Sequence, residues 1–324
     1  MVPQIDESTV VDEKMMHEQF VARIARGEKI EVDDWMPEDY RMQLIKLIAM
    51  HGVSEIMGAL PEKEWVPRTP TLRRKLSLMA KVQDEMGHGQ LLLRVAEDLM
   101  KPLGKTREDI MEDLYAGRLK FHNVFHMEAR TWADAAIIGW LVDGAAIVTQ
   151  KMLAHTSYAP YARALKRILL EERFHAYHGE DMVIKLGDGT PQQREMMQDA
   201  LNRWWPALDM FFGPPEDGRI QSNQELNLKY KIRSKTNEQL RQEFMDKYVP
   251  QIQALGLKVP DETLRYDDEN QKWVYTHADY SYLKNVISKN QGPRSQNRLN
   301  LRKIGFENNA WVREALLHNQ KELG

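Results

Sequence analysis

Cysteine is absent from all 324 residues of this sequence. Without a thiol, the chain forms no disulfide, no thiolate zinc site and no cysteine-held iron–sulfur cluster. The absence also fits a reducing compartment, and we expect the protein to be cytoplasmic. If this chain carries out redox chemistry with O₂, its electrons must therefore arrive from another protein.

Other signals are missing as well. The N-terminus has no basic segment followed by an apolar one, and no run of about 18 apolar residues occurs, so we expect neither a signal peptide nor a membrane span. The net charge of −3 gives no nucleic-acid or membrane-surface footprint. We find no phosphate-binding loop, no dinucleotide fingerprint and no nucleophile triad motif. These absences direct attention to acids and histidines.

The sequence contains the pattern Glu-x-x-His twice, at Glu85–His88 and at Glu172–His175. In a helix these two positions lie on one face. Each pattern also follows a single carboxylate at nearly the same distance, because Glu55 precedes Glu85 by 30 residues and Asp143 precedes Glu172 by 29. Such a gap runs from the middle of one helix, round a short turn, to the middle of the next. One carboxylate and one Glu-x-x-His per helix pair, occurring twice, is the set with which ferritin-like bundles hold two metal ions.

This spacing predicts an all-α fold, a ferritin-like four-helix bundle in which Asp143 stands where the wider pattern has Glu. The 58 residues between Glu85 and Asp143 provide the long crossover that this topology needs. Asp134 is the competing ligand on the third helix, but its gap of 38 residues to Glu172 breaks the match between the two halves.

Helix phase predicts that these acids are buried. Glu85 shares a stripe with Leu78 and Leu92, and Asp143 lies in a nearly continuous apolar helix. The alternative is that the acids are solvated charges on helix surfaces, where most acids lie. Buried carboxylates without a partner are costly, and a metal pair removes that cost. The preceding acids, Asp84 and Glu171, are candidates to accept hydrogen bonds from the metal-binding imidazoles.

Turn and capping signals predict the remaining order of elements. We expect helices at 11–28, 38–59, 70–100, 107–117, 132–155, 158–186, 191–212 and 310–322, and a small β-hairpin at 264–266 and 272–275. A loop at Pro214–Pro215 and Asp217–Gly218 divides the chain into a bundle domain, 1–212, and a C-terminal extension, 213–324. Gly87 and Gly89, inside the second bundle helix, leave room either for substrate or for a closely packed helix.

Several longer segments resemble one family along nearly the whole chain: Asp34–Pro37, Thr71–Lys75, Lys81–Gly89, Ile138–Ala146, Glu171–His175, Trp204–Leu208 and Trp311–Ala315. They are similar to the catalytic A subunits of the bacterial ring-1,2-phenylacetyl-CoA epoxidases. Asp143 departs from the wider di-iron superfamily and fits this family.

The resemblance implies a multicomponent di-iron monooxygenase that epoxidises the aromatic ring of phenylacetyl-CoA in aerobic phenylacetate catabolism. It implies two iron ions in this chain, and as partners a structural C subunit, a small B subunit, and a reductase with flavin and an iron–sulfur cluster that brings electrons from NADPH. Glu85 and Glu172 would bridge or chelate the metals, His88 and His175 would be the nitrogen ligands, and Glu55 and Asp143 the terminal carboxylates. By resemblance, the candidates to contact coenzyme A are Lys46, Lys120, Phe121, His122, Asn123, Arg233 and Asn237.

Two other functions remain open at this point. A ferroxidase on the same bundle would use the same ligands, although ferritins are shorter and lack a segment comparable to residues 213–324. A non-catalytic assembly subunit of the same enzyme would have broken ligands, whereas all six are present here.

Overall fold

The structure contains all eight helices that the sequence predicts, and four further helices among the described residues after 213. The computed structural model describes residues 7–216 and 222–322. Over these residues the α-helices are α1 Glu7–Ala25, α2 Glu38–Lys63, α3 Leu72–Met100, α4 Arg107–Tyr115, α5 Trp132–Leu153, α6 Ala159–Gly187, α7 Pro191–Phe211, α8 Ser222–Lys229, α9 Asn237–Ala254, α10 Ser281–Asn285, α11 Ser295–Asn308 and α12 Ala310–Glu322. Two antiparallel strands, β1 Arg265–Asp267 and β2 Lys272–Val274, form the hairpin, with Tyr266 opposite Trp273. The predicted all-α fold with a small hairpin is confirmed.

Four long helices form the bundle. α2 packs along α3, α5 packs along α6, and the two pairs meet where α3 packs against α6. The crossover between the pairs contains α4 and spans residues 101–131. Each of the four helices thus presents one face to a common interior, which is where the sequence placed the acids and histidines.

Local sequence signals account for where these helices begin. The Thr71 hydroxyl accepts a hydrogen bond from the Arg74 amide at the start of α3, at 3.2 Å. Thr131 and Asp134 form a reciprocal cap at the start of α5. Pro160 occupies the first turn of α6, where its missing N–H costs no helical hydrogen bond.

Helix α5 is interrupted by a wider π-helical turn at Ile138–Val142, immediately before Asp143. Such turns are rare and occur often at functional sites. Here the turn coincides with a close helix crossing, because a Cβ built on Gly179 of α6 would lie 2.1 Å from the carbonyl of Gly139. Because neither position has a side chain, α5 and α6 can approach closely here. This contact fixes the position of α5 next to Asp143.

The two glycines of α3 differ in their surroundings. A Cβ on Gly89 would lie 2.5 Å from Ile56 and 2.8 Å from the Gly52 carbonyl of α2, whereas nothing lies within 4 Å of a Cβ on Gly87. Of the two alternatives, close helix packing applies to Gly89.

The segment after residue 213 packs onto the bundle. Helix α9 was not predicted, and its Tyr248 occupies the space above Gly144 of α5, where a Cβ would lie 2.3 Å from the phenol ring. Helices α8, α10 and α11 were also missed. The predicted loop at Asp217–Gly218 lies outside the described residues, and the division into 1–212 and 213–324 remains a prediction.

Helices α2 and α5 are long and apolar enough to cross a membrane, although no unbroken run of 18 apolar residues occurs. Most of each helix is buried inside the protein. Burial of this kind is typical of core helices, whose apolar surface is covered by other helices.

Candidate metal centre

The four bundle helices bring all six predicted ligands to one buried point. Donor atoms of two overlapping groups each lie within 4.8 Å of one another, and every side chain in them is buried. The first group is Glu55, Glu85, His88 and Glu172, and the second is Glu85, Asp143 and His175. Asp134, the competing candidate, lies in neither group and instead pairs with Arg203 and Trp204.

Glu85 and Glu172 lie between the two histidines. The Nδ1 atom of His88 is 3.7 Å from Glu85 Oε2 and 3.8 Å from Glu172 Oε1. The Nδ1 atom of His175 is 3.4 Å from Glu85 Oε1 and 3.3 Å from Glu172 Oε2. Each carboxylate therefore offers one oxygen toward each imidazole, which is the arrangement that two bridged metal ions require.

The histidines point their Nδ1 atoms inward and their Nε2 atoms outward. Neither Nδ1 has a hydrogen-bond partner among the described residues, although both are buried. Nε2 of His88 lies 2.8 Å from Glu171, and Nε2 of His175 lies 3.2 Å from Asp84. Glu171 and Asp84 each contact the histidine of the other Glu-x-x-His motif, not the histidine of the adjacent motif. The sequence did not reveal this exchange. Buried, unbonded nitrogens facing carboxylates fit a metal pair.

A lysine that the sequence analysis did not single out enters the same cluster. Lys81 is fully buried, and its Nζ lies 2.7 Å from Glu62 Oε2, 2.7 Å from Asp143 Oδ2 and 3.8 Å from Glu85 Oε1. Its position four residues before Glu85, inside an apolar stripe, was the available signal. The ammonium group partly balances the charge of the carboxylates.

Burial and the neighbouring charges shift the pKa values of the cluster. Burial raises the pKa of Glu55 well above its usual value, and the neighbouring Glu85 adds to the rise. Burial raises the pKa of Asp143, although the ammonium group of Lys81 opposes the rise. The pKa of His175 is raised to about 10, because the carboxylates of Glu172 and Glu85 outweigh the opposing effect of burial. Metal binding to this cluster would therefore release protons.

A cavity of about 350 Å³ opens beside the carboxylates. Part of its lining is apolar, including Ile138, Val142 and Ala146 of α5 and Leu47 and Met50 of α2. Polar residues also line it, namely Asn223, Gln224, Asn227, Arg233 and Asn237. The cavity thus brings apolar and amide-bearing walls together with the carboxylates of the cluster.

The structure places the predicted coenzyme A contacts in different parts of the protein. His122, Arg233 and Asn237 line the cavity, whereas Lys46, Phe121 and Asn123 are not part of its described lining. Lys46 is exposed. Phe121 is buried and stacks on His126 at 3.9 Å, and the side-chain amide of Asn123 donates to the Ala207 carbonyl. The last two thus contact other parts of this chain, and their role in binding coenzyme A remains a prediction.

Lys120 lies in a different, polar cavity of about 440 Å³ between α4 and α11. Lys289 and Lys303 also line it, and the described lining contains no acidic residue. The side-chain amides of Asn290, Gln296 and Asn300 line it as well. This second cavity has the charge and polarity of an anion-binding site.

Comparison with known proteins agrees with this geometry. The family model described as phenylacetic acid catabolic protein matches residues 14–311. The chain belongs to this family. It is also 47% identical over 307 residues to the A subunit of 1,2-phenylacetyl-CoA epoxidase from Escherichia coli (strain K12), and the match spans 94% of this chain and 97% of that protein. All six buried donors lie within the region that matches the phenylacetic acid catabolic protein family.

Proposed function

We propose that this chain is the catalytic subunit of a multicomponent di-iron monooxygenase. It places one oxygen atom across the aromatic ring of phenylacetyl-CoA, giving the 1,2-epoxide, in aerobic phenylacetate catabolism. One observation carries the proposal: six buried oxygen and nitrogen donors converge beside a cavity. The identity of 47% to a chain of a known epoxidase, over nearly the full length of both chains, supports the choice of substrate.

The six donors would hold two iron ions. Imidazole and carboxylate ligands that leave open positions suit iron centres that react with O₂. Glu85 and Glu172 would bridge or chelate the ions, His88 and His175 would supply nitrogen, and Glu55 and Asp143 would be the terminal carboxylates. When bound and reduced, the pair supplies the activation of O₂. Glu171 and Asp84 fix the orientation of the two imidazoles through their Nε2 atoms.

The chain's own residues supply binding and exclusion of water. Ile138, Val142 and Ala146 form an apolar wall that accommodates a phenyl ring next to the donor atoms. This apolar wall would keep water away from the reacting ring and hold the ring beside the donor atoms. The ring, the thioester and the pantetheine arm would thus extend from the donor atoms toward the polar residues of the cavity lining.

Coenzyme A would be bound by polar groups of the two cavities. The amides of Asn223 and Asn237 and the guanidinium of Arg233 suit the amide-bearing arm, and Arg233 Nε has no hydrogen-bond partner among the described residues. The lysine-lined second cavity, with Lys120 in its wall, suits phosphate groups. Two of the three lysines there, Lys289 and Lys303, extend the set of candidate contacts.

Electrons would come from outside the chain. The sequence has no cysteine to hold an iron–sulfur cluster, so a reductase with flavin and an iron–sulfur cluster would deliver electrons from NADPH. A structural C subunit, together with a small B subunit, would complete a cytoplasmic hetero-oligomer. The relative is named as one lettered subunit of its enzyme, which supports an assembly of several chains.

Product analysis tests the proposal. The iron-loaded chain, combined with its partner subunits, reductase and NADPH, should consume O₂ and convert phenylacetyl-CoA to a product one oxygen atom heavier. His88→Ala should abolish both. O₂ uptake with Fe(II) alone, and no oxygenated product, would instead support the ferroxidase alternative.

A further inference from the structure

A histidine that the sequence analysis did not identify lies next to the candidate ligand Glu55. His51 is one helical turn before Glu55 on α2, and its Nε2 is 2.8 Å from Glu55 Oε1. Both side chains line the cavity and are largely enclosed. His51 itself lies in neither group of converging donor atoms among the described residues.

Tyr161 fixes the other side of this imidazole. Its hydroxyl lies 2.7 Å from His51 Nδ1, and the two rings meet edge to face at 82°. Tyr161 is fully buried in the first turns of α6. A phenol hydroxyl has one hydrogen to donate, and Nδ1 is within its reach. If Nδ1 accepts this hydrogen, the neutral imidazole carries its own hydrogen on Nε2, which faces the Glu55 carboxylate.

Gln150 on α5 approaches the same carboxylate oxygen. Its side-chain amide nitrogen lies 3.3 Å from Glu55 Oε1 and 3.5 Å from Glu172 Oε1. Glu55 Oε1 therefore has two neutral side-chain nitrogen atoms near it, Nε2 of His51 and Nε2 of Gln150, which lie 3.5 Å from each other. Contacts to Oε1 leave the second oxygen, Oε2, as the available metal ligand.

We propose that His51, oriented by Tyr161, is a positioning residue that holds Glu55 as a one-oxygen ligand of the metal centre. This inference rests on the proposed function, because it assumes that Glu55 binds metal. The physical reason is that a carboxylate whose rotation is fixed by hydrogen bonds loses less conformational freedom when metal binds. Groups that orient metal ligands in this way typically contribute a factor of about 10 to 100 in metal affinity.

The other end of the cluster is arranged differently. There the carboxylate of Asp143 faces the charged Lys81, at 2.7 Å, rather than a neutral donor. A cation at that distance competes with a metal ion, whereas an imidazole N–H leaves the charge of Glu55 in place. The contribution of His51 is therefore expected at the half of the centre that contains Glu55.

Cobalt(II) binding to the full-length apoprotein tests the inference without activity as the readout. The number of ions, their dissociation constants and the visible absorption per bound ion would be measured for the wild type and for His51→Phe, His51→Gln and Tyr161→Phe. We expect His51→Phe to weaken one of two Co(II) ions by about 10- to 100-fold and to change its absorption, which depends on coordination geometry. His51→Gln keeps an N–H donor near Glu55 and should recover most of the affinity.

Tyr161→Phe separates positioning from packing. Removing one hydroxyl should weaken the same ion by less than His51→Phe does, and the double variant should bind no worse than His51→Phe alone, because Tyr161 acts through His51. His126→Phe is the control, since His126 is also buried but bonds to Ser295 away from the cavity. It should bind both ions as the wild type does.

The outcomes distinguish this inference from the proposed function. Wild-type binding constants and spectra in His51→Phe, with two ions bound, would overturn the positioning role and leave the metal site intact. A wild-type chain that binds no Co(II) would overturn the metal centre itself. Thermal unfolding of each apoprotein identifies any variant that fails to fold. If His51→Phe does not fold, Co(II) binding by His51→Gln and by Tyr161→Phe still tests the positioning role.

Discussion

Lys81 Nζ lies 2.7 Å from Asp143 Oδ2, with the lysine completely removed from solvent. The same ammonium group lies 2.7 Å from Glu62 Oε2, so one cation serves two carboxylates from different helices. The pKa of Lys81 is raised well above its usual value, because Asp143 and Glu62 together outweigh the opposing effect of burial. The lysine is therefore charged at neutral pH and balances part of the negative charge of these carboxylates.

Replacing Lys81 by Met should make the protein depend more on metal for its stability. The variant leaves Glu62 and Asp143 buried without a cation, and removing one partner of a buried ion pair costs about 3–5 kcal/mol. We expect a clearly lower unfolding temperature of the apoprotein and a larger increase on adding Co(II) than in the wild type. Thermal unfolding with and without metal measures both.

A surface lysine provides the matched control for that variant. Lys235 pairs with Glu243, and both side chains are about two-fifths exposed. Lys235→Met should change the stability by less than about 1 kcal/mol and leave the response to metal unchanged. If Lys81→Met behaves like this control, the buried cation has no part in balancing the carboxylates.

Asp134 should make stability depend on pH. Burial alone would raise its pKa, but hydrogen bonds from Arg203, Thr131 and Trp204 hold the pKa below its usual value. A carboxylate with a depressed folded pKa stabilises the protein above the unfolded pKa, and this contribution is lost as pH falls through the folded pKa. Asp134→Asn should therefore cost about 1–3 kcal/mol at pH 7, with the difference from wild type shrinking below about pH 4.

Urea unfolding across pH values measures this effect. Asp199→Asn is the control, because Asp199 pairs with the same Arg203 but its side chain is 59% exposed. It should cost less than about 1 kcal/mol at pH 7. A loss in Asp134→Asn that stays constant down to low pH would show that the carboxylate charge is irrelevant there.

Gly179→Ala should disturb the contact between α5 and α6 that positions Asp143. The added Cβ would lie 2.1 Å from backbone atoms of Gly139, so α5 or α6 must shift. We expect a loss of about 1–3 kcal/mol and weaker metal binding. Gly87→Ala, in the same bundle, adds a Cβ with nothing within 4 Å and should be neutral or stabilising by up to about 1 kcal/mol. Equal effects of the two substitutions in calorimetry would contradict the role of the crossing.

Ala146→Phe should separate substrate binding from metal binding. Ala146 belongs to the apolar wall of the cavity, and a phenyl group there would occupy the space proposed for the substrate ring. Product formation should fall at least about tenfold, while the number of bound metal ions stays unchanged. Thr149→Ser, in the same cavity wall, removes only a methyl group and should remain active. Full activity in Ala146→Phe would place the substrate elsewhere.

The sequence predicted the parts of the structure that are encoded locally. Capping residues and prolines gave the limits of α3 and α6 to within two residues, and the doubled spacing of Glu-x-x-His predicted that four helices would bring six donors together. The burial of Glu85 and Asp143 followed from helix phase, because both lie within apolar stripes.

The remaining features depend on contacts between helices that are distant in sequence. Asp84 contacts His175, and Glu171 contacts His88, because of how α3 and α6 pack against each other. The π-helical turn before Asp143 has no periodic signature, and its cause becomes visible only at the contact of Gly139 with Gly179. Helix α9 is different, because it was missed although local signals were present: a capping box of Thr236 and Gln239, and apolar residues at helical spacing such as Leu240, Phe244 and Tyr248.

Anomalous diffraction at the iron edge, from crystals of the iron-loaded full-length chain, tests the central claim most directly. We predict two peaks, both enclosed by Glu55, Glu85, His88, Asp143, Glu172 and His175, with Glu85 and Glu172 shared between them. No peak within this cluster, or iron found only at surface carboxylates, would contradict the di-iron assignment and the oxygenase proposal that depends on it.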